Sequence, residues 1–160
     1  MYDITTEKNM KIIVFQLRDE EYGVPVEQVL SIERVQHITR VPKTPVFVKG
    51  VINLRGVVTP IIDLRGRFNI EEKEFSDHTR IIIVTVDDMD VGLIVDAAND
   101  VIDIPVISIE PPPEIVGGVE ADYLHGVAKL EERLLILLNL ERVLNADEIK
   151  AMQQIEAVVQ

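Results

Sequence analysis

Gly50–Phe68 reads GVINLRGVVTPIIDLRGRF, and the way this stretch folds decides the architecture. It is an apolar, strand-like run that nevertheless carries glycines, a proline, two Leu-Arg-Gly triplets and one aspartate. Valine and isoleucine suit a pleated, half-buried surface. Gly50–Leu54 and Val57–Leu64 therefore read as two strands, with Gly56 as the tight connection between them. Gly50 permits a turn or a close approach on entry to the first strand. Pro60 has no N–H to donate and belongs at a strand edge or bulge. Asp63 reads as a cap for the turn that follows.

Outward from this block, dense Val/Ile and period-2 alternation recur in Lys11–Arg18, Arg80–Val86, Val91–Val95, Val101–Ile109, Gly126–Leu130 and Leu134–Leu140. Turn residues separate these runs, so the protein reads as mainly β. Short helical turns fit near Val26–Val29, Pro45–Val48 and after Asp63. The one longer helix expected is Ala146–Val159, where Asn145 and Glu148 resemble a capping box and Ile149, Met152, Ile155 and Val159 share a face.

The pattern is written twice. Phe15–Ile32 can be laid over Val84–Val101, so that the acidic turns Asp19–Glu21 and Asp88–Asp90 coincide and Gly23 meets Gly92, an offset of 69 residues. Gly50–Leu64 then lies over Gly126–Leu140 at an offset of 76, with Leu54 on Leu130 and Asp63 on Asn139. The difference of about seven residues falls in a surface loop, Glu110–Glu120. Halves of this size, rich in short strands, solve the exposed-edge problem as small closed barrels. The expectation is two packed β-barrels from an internal duplication, at about residues 10–78 and 79–144 with strand exchange between them allowed, a groove between them, and a helix at 145–160.

The chemistry points away from catalysis. A net charge of −12 and a sequence pI near 4.6 disfavour nucleic acid and direct membrane binding. There is no cysteine, no apolar run long enough for a membrane span, and no apolar core in the first residues, which fits the cytoplasm. His37, His78 and His125 lack metal-ligand spacing, and no phosphate loop or nucleophile elbow is present, so neither metal nor cofactor is expected. Asp63 and Asp96 could form an acid–base dyad of a small hydrolase in the groove. Capping is the better reading for Asp63, because its repeat partner Asn139 can cap but cannot exchange protons as an acid. Val26, Val29, Ile32 and Val35 recur three apart and form an apolar ridge, which with Ala98 would border the groove. Glu33, Arg34 and Arg40 could supply the polar rim of such a helix-docking surface.

The NLRG motif with its following proline, the IDLR end, TRVPKTPVFVKG (Thr39–Gly50), VGLIVD (Val91–Asp96) and LLILLNLERVL (Leu134–Leu144) arrive in one order. In that order they resemble the bacterial chemotaxis coupling proteins, the CheW family, from about Met10 to Leu144. The coupling domain of CheV is related, but it would bring an appended receiver domain, and a chain ending at Gln160 disfavours it. The resemblance implies one CheW-like domain of two SH3-like five-stranded barrels. It implies a cytoplasmic adaptor without enzymatic activity or cofactors, monomeric by itself and recruited to membrane-associated receptor arrays. Its partners would be the regulatory domain of the histidine kinase CheA and the cytoplasmic tip of methyl-accepting chemoreceptors. By position, the receptor groove would use Val26, Val29, Ile32, Arg55 and Ala98. The kinase surface would use Glu33, Val35, Ile38, Thr39, Arg40, Val41 and Gly50, and a second kinase contact would lie on the other barrel. Ala98 is smaller than the aliphatic residue expected there, so the second barrel offers less apolar area. A coupling protein of a parallel, non-swimming array would carry the same residues.

Overall fold

The run Ile12-Ile13-Val14-Phe15 shows no polar alternation because the strand that contains it, β1 (Asn9–Leu17), is buried on both faces. The computed structural model describes residues 8–42, 44–116, 119–144, 148, 150, 151 and 154. β1 turns through Arg18–Asp19 into β2 (Glu20–Pro25), and a 3-10 turn at Val26–Gln28 leads to β3 (Val29–Arg34). β4 (Val48–Leu54) and β5 (Val57–Asp63) follow, with one helical turn, α1 (Leu64–Arg67), after Asp63. The second half repeats the order: β6 (Arg80–Val86), β7 (Met89–Val95) and β8 (Ala97–Pro105), then β9 (Ile109–Glu110) and the short pair β10 (Ile115–Val116) and β11 (Val119–Glu120). It ends in β12 (Leu124–Leu130), β13 (Arg133–Leu138) and α2 (Leu140–Val143).

The duplication holds across the main strands, whereas β10, β11 and the 3-10 turn at Val106–Ser108 have no counterpart among the first-half elements. Shifting β4 by 76 residues gives the bounds of β12, and the same shift carries α1 onto α2. Two strands, β2 and β3, were not among the sequence-read runs, because their polar residues (Glu20, Glu21, Ser31, Glu33, Arg34) mask the pattern. The continuous strand expected over Val101–Ile109 is instead broken by a 3-10 turn at Val106–Ser108, directly after Pro105. The Glu110–Glu120 segment is not a plain loop but holds the β10–β11 pair. Of the helix expected at Ala146–Val159, Glu148, Lys150, Ala151 and Gln154 are helical, and the remaining positions lie outside the described residues.

The chain does not divide at residue 78. One sheet runs β8-β1-β2-β13-β12-β9 and the other β3-β6-β7-β5-β4. Each half therefore gives its first hairpin to the sheet built on the other half's later strands, and strand exchange is complete and reciprocal. The parallel joints correspond: β2 meets β13 at Gly23↔Leu137, and β7 meets β5 at Gly92↔Ile61. A Cβ on Gly23 would lie 2.4 Å from an Ile12 methyl, and one on Gly92 would lie 2.4 Å from an Ile61 methyl. Both glycines are thus required by close packing inside the barrels. The sheet of β3–β7 forms a central barrel in sequence, and the other sheet, built from both ends of the chain, a terminal barrel.

Three apolar clusters explain which face each residue takes. Ile52, Ile61, Ile81, Ile83 and Ile94 fill the central barrel, and Ile12, Val14, Ile104, Ala128, Leu135 and Leu137 fill the terminal one. Alternate residues of the same strands, among them Ile13, Phe15, Ile82 and Val84, enter a larger core shared between the barrels. Arg67 crosses that junction. Its guanidinium lies 4.9 Å from the centroids of both Phe47 and Tyr123, which are repeat counterparts, and its Nε donates to the Val143 carbonyl (2.5 Å).

Candidate protein-docking groove

β3 and β8 are edge strands of their sheets, and both present residues on the side of the shared core. Register shows how. Val29 stands opposite Val84, and Ile32 opposite Ile82, and both partners belong to the shared core. A spacing of three would put Val29 and Ile32 on opposite faces of a regular strand. The ladder shifts between Val29 and Ser31, and this bulge returns Ile32 to the face of Val29. The three-residue spacing read from the sequence therefore survives, through a bulged strand rather than a helix. Val26 and Val29 are half-buried against the shared core, whereas Ile32 is 42% exposed. Leu30, the extra residue of the bulge, is also exposed, and sequence reasoning passed over it.

β8 mirrors this arrangement. Ala98 pairs with Phe15 and Val101 with Ile13, again beside a register shift. Ala98 is the duplicate of Val29, half-buried next to the shared core. Val101, the duplicate of Ile32, is 54% exposed and was also missed. The signal was available, because the offset of 69 maps Ile32 onto Val101. Val101 returns apolar area that the small Ala98 withholds.

Arg55 takes a different place. It occupies the β4–β5 turn with φ 53°, followed by Gly56 at φ 87°, and the Asn53 side chain accepts the Gly56 N–H (2.8 Å). Its guanidinium pairs with Glu33 (3.4 Å) while remaining largely exposed. Glu33 stands opposite Ile81, a residue of the central-barrel core, so the pair closes the end of that barrel rather than lining the shared-core face. It ties one residue expected at the receptor groove to one expected at the kinase surface.

Ile38, Thr39, Arg40, Val41 and Gly50, also expected at the kinase surface, gather at the opposite edge of the same sheet. Thr39 exchanges two backbone hydrogen bonds with Val51, both 2.8 Å. Gly50 makes this possible: its φ is 143°, and a Cβ there would stand 2.1 Å from the Thr39 carbonyl oxygen. The duplicate, Gly126, admits β9 by a similar close approach without a positive φ, with the Glu110 carbonyl oxygen 2.8 Å from its notional Cβ. Ile38 packs on the central-barrel core and Val41 on the shared core, while Thr39 and Arg40 are exposed. Val35 is half-buried between β3 and this segment. Ile38, Arg40, Lys49 and Phe75 border an open depression, with Lys49 ion-paired to Glu72.

Asp63 and Asp96 are each occupied by a structural task. Asp63, 3% exposed, caps α1 by accepting the Arg65 N–H (3.0 Å). Burial pushes its carboxyl above the usual value, against the opposing pull of that hydrogen bond. Asp96 accepts Arg65 Nε (2.9 Å), a second Arg65 nitrogen (2.5 Å) and the Arg18 N–H (2.8 Å). Burial opposes its ionisation, but the Arg65 guanidinium and the Arg18 N–H outweigh it and hold the carboxyl below its usual value. Asn139, the duplicate of Asp63, forms no side-chain cap. His37, His78 and His125 are exposed, and among the described residues no group of three or more acidic or histidine side chains is placed to hold a metal.

Comparison with known proteins agrees with this architecture. Residues 11–148 match the family model of the CheW-like domain. The chain is similar to "Chemotaxis protein CheW" of Bacillus subtilis, 48% identical over 86% of this chain and 88% of the relative. It is likewise similar to "Chemotaxis protein CheW" of Klebsiella aerogenes, 37% identical over 87% and 84%. Among solved structures, the scaffolding protein TtCheW of Thermoanaerobacter tengcongensis superposes with a TM-score of 0.81 at 38% identity, over 88% of this chain and 96% of that one.

Proposed function

The chain belongs to the CheW-like family, and from that membership we propose that it couples a CheA-type histidine kinase to the cytoplasmic tip of methyl-accepting chemoreceptors. It is a chemotaxis signal-transduction adaptor. The observation that carries the coupling is the duplicated groove face: Val26, Val29 and Ile32 on one edge strand, Ala98 and Val101 on the other, continuous with the core that joins the barrels. A receptor helix would cover this face. The kinase regulatory domain would take the Ile38–Val41 edge, where Gly50 fixes Thr39 against β4, together with Glu33 and Val35. Arg55, paired with Glu33, would stand between the two surfaces.

No proton transfer is asked of such a molecule. Weak interfaces on one rigid body raise the effective concentration of kinase and receptor for each other, so the assembly is tighter than any pair within it. Receptor conformations then act by favouring one kinase arrangement over another. Among the described residues no helix is long and apolar enough to cross a membrane, and recruitment to the receptor membrane would run through the receptor itself.

Co-sedimentation of the chain and its kinase with receptor-containing membranes tests the reading. Ile32→Asp and Val101→Asp, both at exposed positions, are expected to abolish receptor-dependent pelleting while retaining kinase-domain binding and a cooperative melt. Absence of pelleting and of kinase-domain binding in the unmodified protein would overturn it.

A further inference from the structure

The groove face of β3 does not end in apolar residues. Arg34 stands opposite Arg80 in the register that places Ile32 opposite Ile82, so both guanidinium side chains leave the sheet on the groove side. Like charges directly opposite each other destabilise a strand pair. Carboxylates that could neutralise them are abundant in a chain of net charge −12. Among the described residues, however, neither arginine has a carboxylate within ion-pair distance. The Arg80 guanidinium is nonetheless held in place, donating from one nitrogen to the backbone oxygens of Asp77 (2.7 Å) and Thr79 (2.8 Å). Arg34 and Arg80 line one depression together with Val35, Ser76, Asp77 and Thr79.

The duplication supplies an internal control. The matching register pair on β8 and β1 is Asp103 opposite Lys11, which are opposite charges. The same position of the fold therefore carries residues of opposite charge in the terminal barrel and two cations in the central one.

We propose that Arg34 and Arg80 form a carboxylate-binding end of the groove, taking an Asp or Glu side chain of the receptor helix that lies along Val29 and Ile32. This rests on the groove reading above and adds the charge its occupant must carry. A strand advances roughly 6.6 Å over two residues and a helix 6 Å over four. An acidic residue about one turn beyond the one that meets Ile32 would thus arrive at Arg34. Two planar guanidinium groups suit a carboxylate, because each offers paired N–H donors in a fixed fork.

The test uses the full chain, a soluble receptor cytoplasmic-tip fragment and the isolated kinase regulatory domain, titrated by calorimetry at low and high sodium chloride. The Arg34→Gln/Arg80→Gln double variant should bind the receptor fragment about tenfold more weakly at low salt. Its salt dependence should be flatter and its affinity for the kinase domain unchanged. Unchanged receptor affinity in the double variant overturns the proposal, as does a loss confined to the kinase domain. If the unmodified chain fails to bind the receptor fragment, the groove reading itself fails, which is a separate outcome. A Lys11→Gln/Asp103→Asn variant, neutralising the duplicate pair, should leave receptor affinity unchanged.

Discussion

Asp63 and Asp96 each close an apolar strand and look interchangeable in the sequence, yet their environments push them in opposite directions. A carboxyl whose folded pKa is raised favours the fold while protonated, and that contribution is lost as pH rises through the folded value. Asp63 is of this kind, so at neutral pH its buried charge works against folding. Asp63→Asn keeps an acceptor for the Arg65 N–H and removes that charge, so the variant should melt at the same or a higher temperature at pH 7. Asp96 has the opposite sign: its contribution is present above the unfolded value near 4 and is lost as pH falls through the lowered folded value. Asp96→Asn strips a largely buried arginine of its counter-charge and should cost about 2–3 kcal/mol at pH 7, roughly 5–10 °C in melting temperature. The difference from the parent protein should fade as pH falls through the lowered folded value of the Asp96 carboxyl. Thermal melts of both variants between pH 2.5 and 7 check the pair, and equal destabilisation at pH 7 would refute the claim that the Asp63 charge opposes folding. The cap was legible because it is local. The Asp96–Arg65 pair was not, because its members lie 31 residues apart.

Elements with dense Val/Ile were read closely, and β6 runs over the residues its alternation marked, Arg80–Val86. β2 and β3 were not, since they are short and mix polar residues into both faces. The bulge in β3 was equally invisible: a spacing of three suggests a helical turn, and only the ladder to β6 shows that an extra residue restores the face. The β4–β5 turn is where stability and function can be separated. A two-residue hairpin turn with both φ values positive suits Asn or Gly, and Arg55 at φ 53° gives up about 1 kcal/mol to be there. Arg55→Gly should therefore melt no lower than the parent protein while losing receptor-dependent kinase coupling. Full coupling in that variant would show that the guanidinium is only a solvated turn residue.

For the molecule as a whole, reciprocal exchange of hairpins makes the two barrels one folding unit. Residues 1–78 carry the β1–β2 hairpin without its flanking strands β8 and β13, and residues 79–160 carry the β6–β7 hairpin without β3 and β5. Either half alone is expected to be unfolded or to associate with a second copy, and mixing the halves should restore the native circular dichroism. A monomeric, cooperatively folded 1–78 fragment would contradict this. The intact chain should show a single calorimetric transition, because the shared core draws residues from both sheets and neither barrel can open alone without exposing it.

The sequence by itself determined the class of fold, the duplication with its matched glycines, the capping aspartate and the family, because these rest on local periodicity and on motifs contiguous in the chain. Only the tertiary structure decided which hairpin enters which sheet, and that Val101, like Ile32, stays exposed on the shared-core side of its edge strand. It also decided that Arg34 meets Arg80 while Asp103 meets Lys11. Those facts are pairings between strands remote in sequence, and register depends on how two sheets share one core, which no single strand encodes.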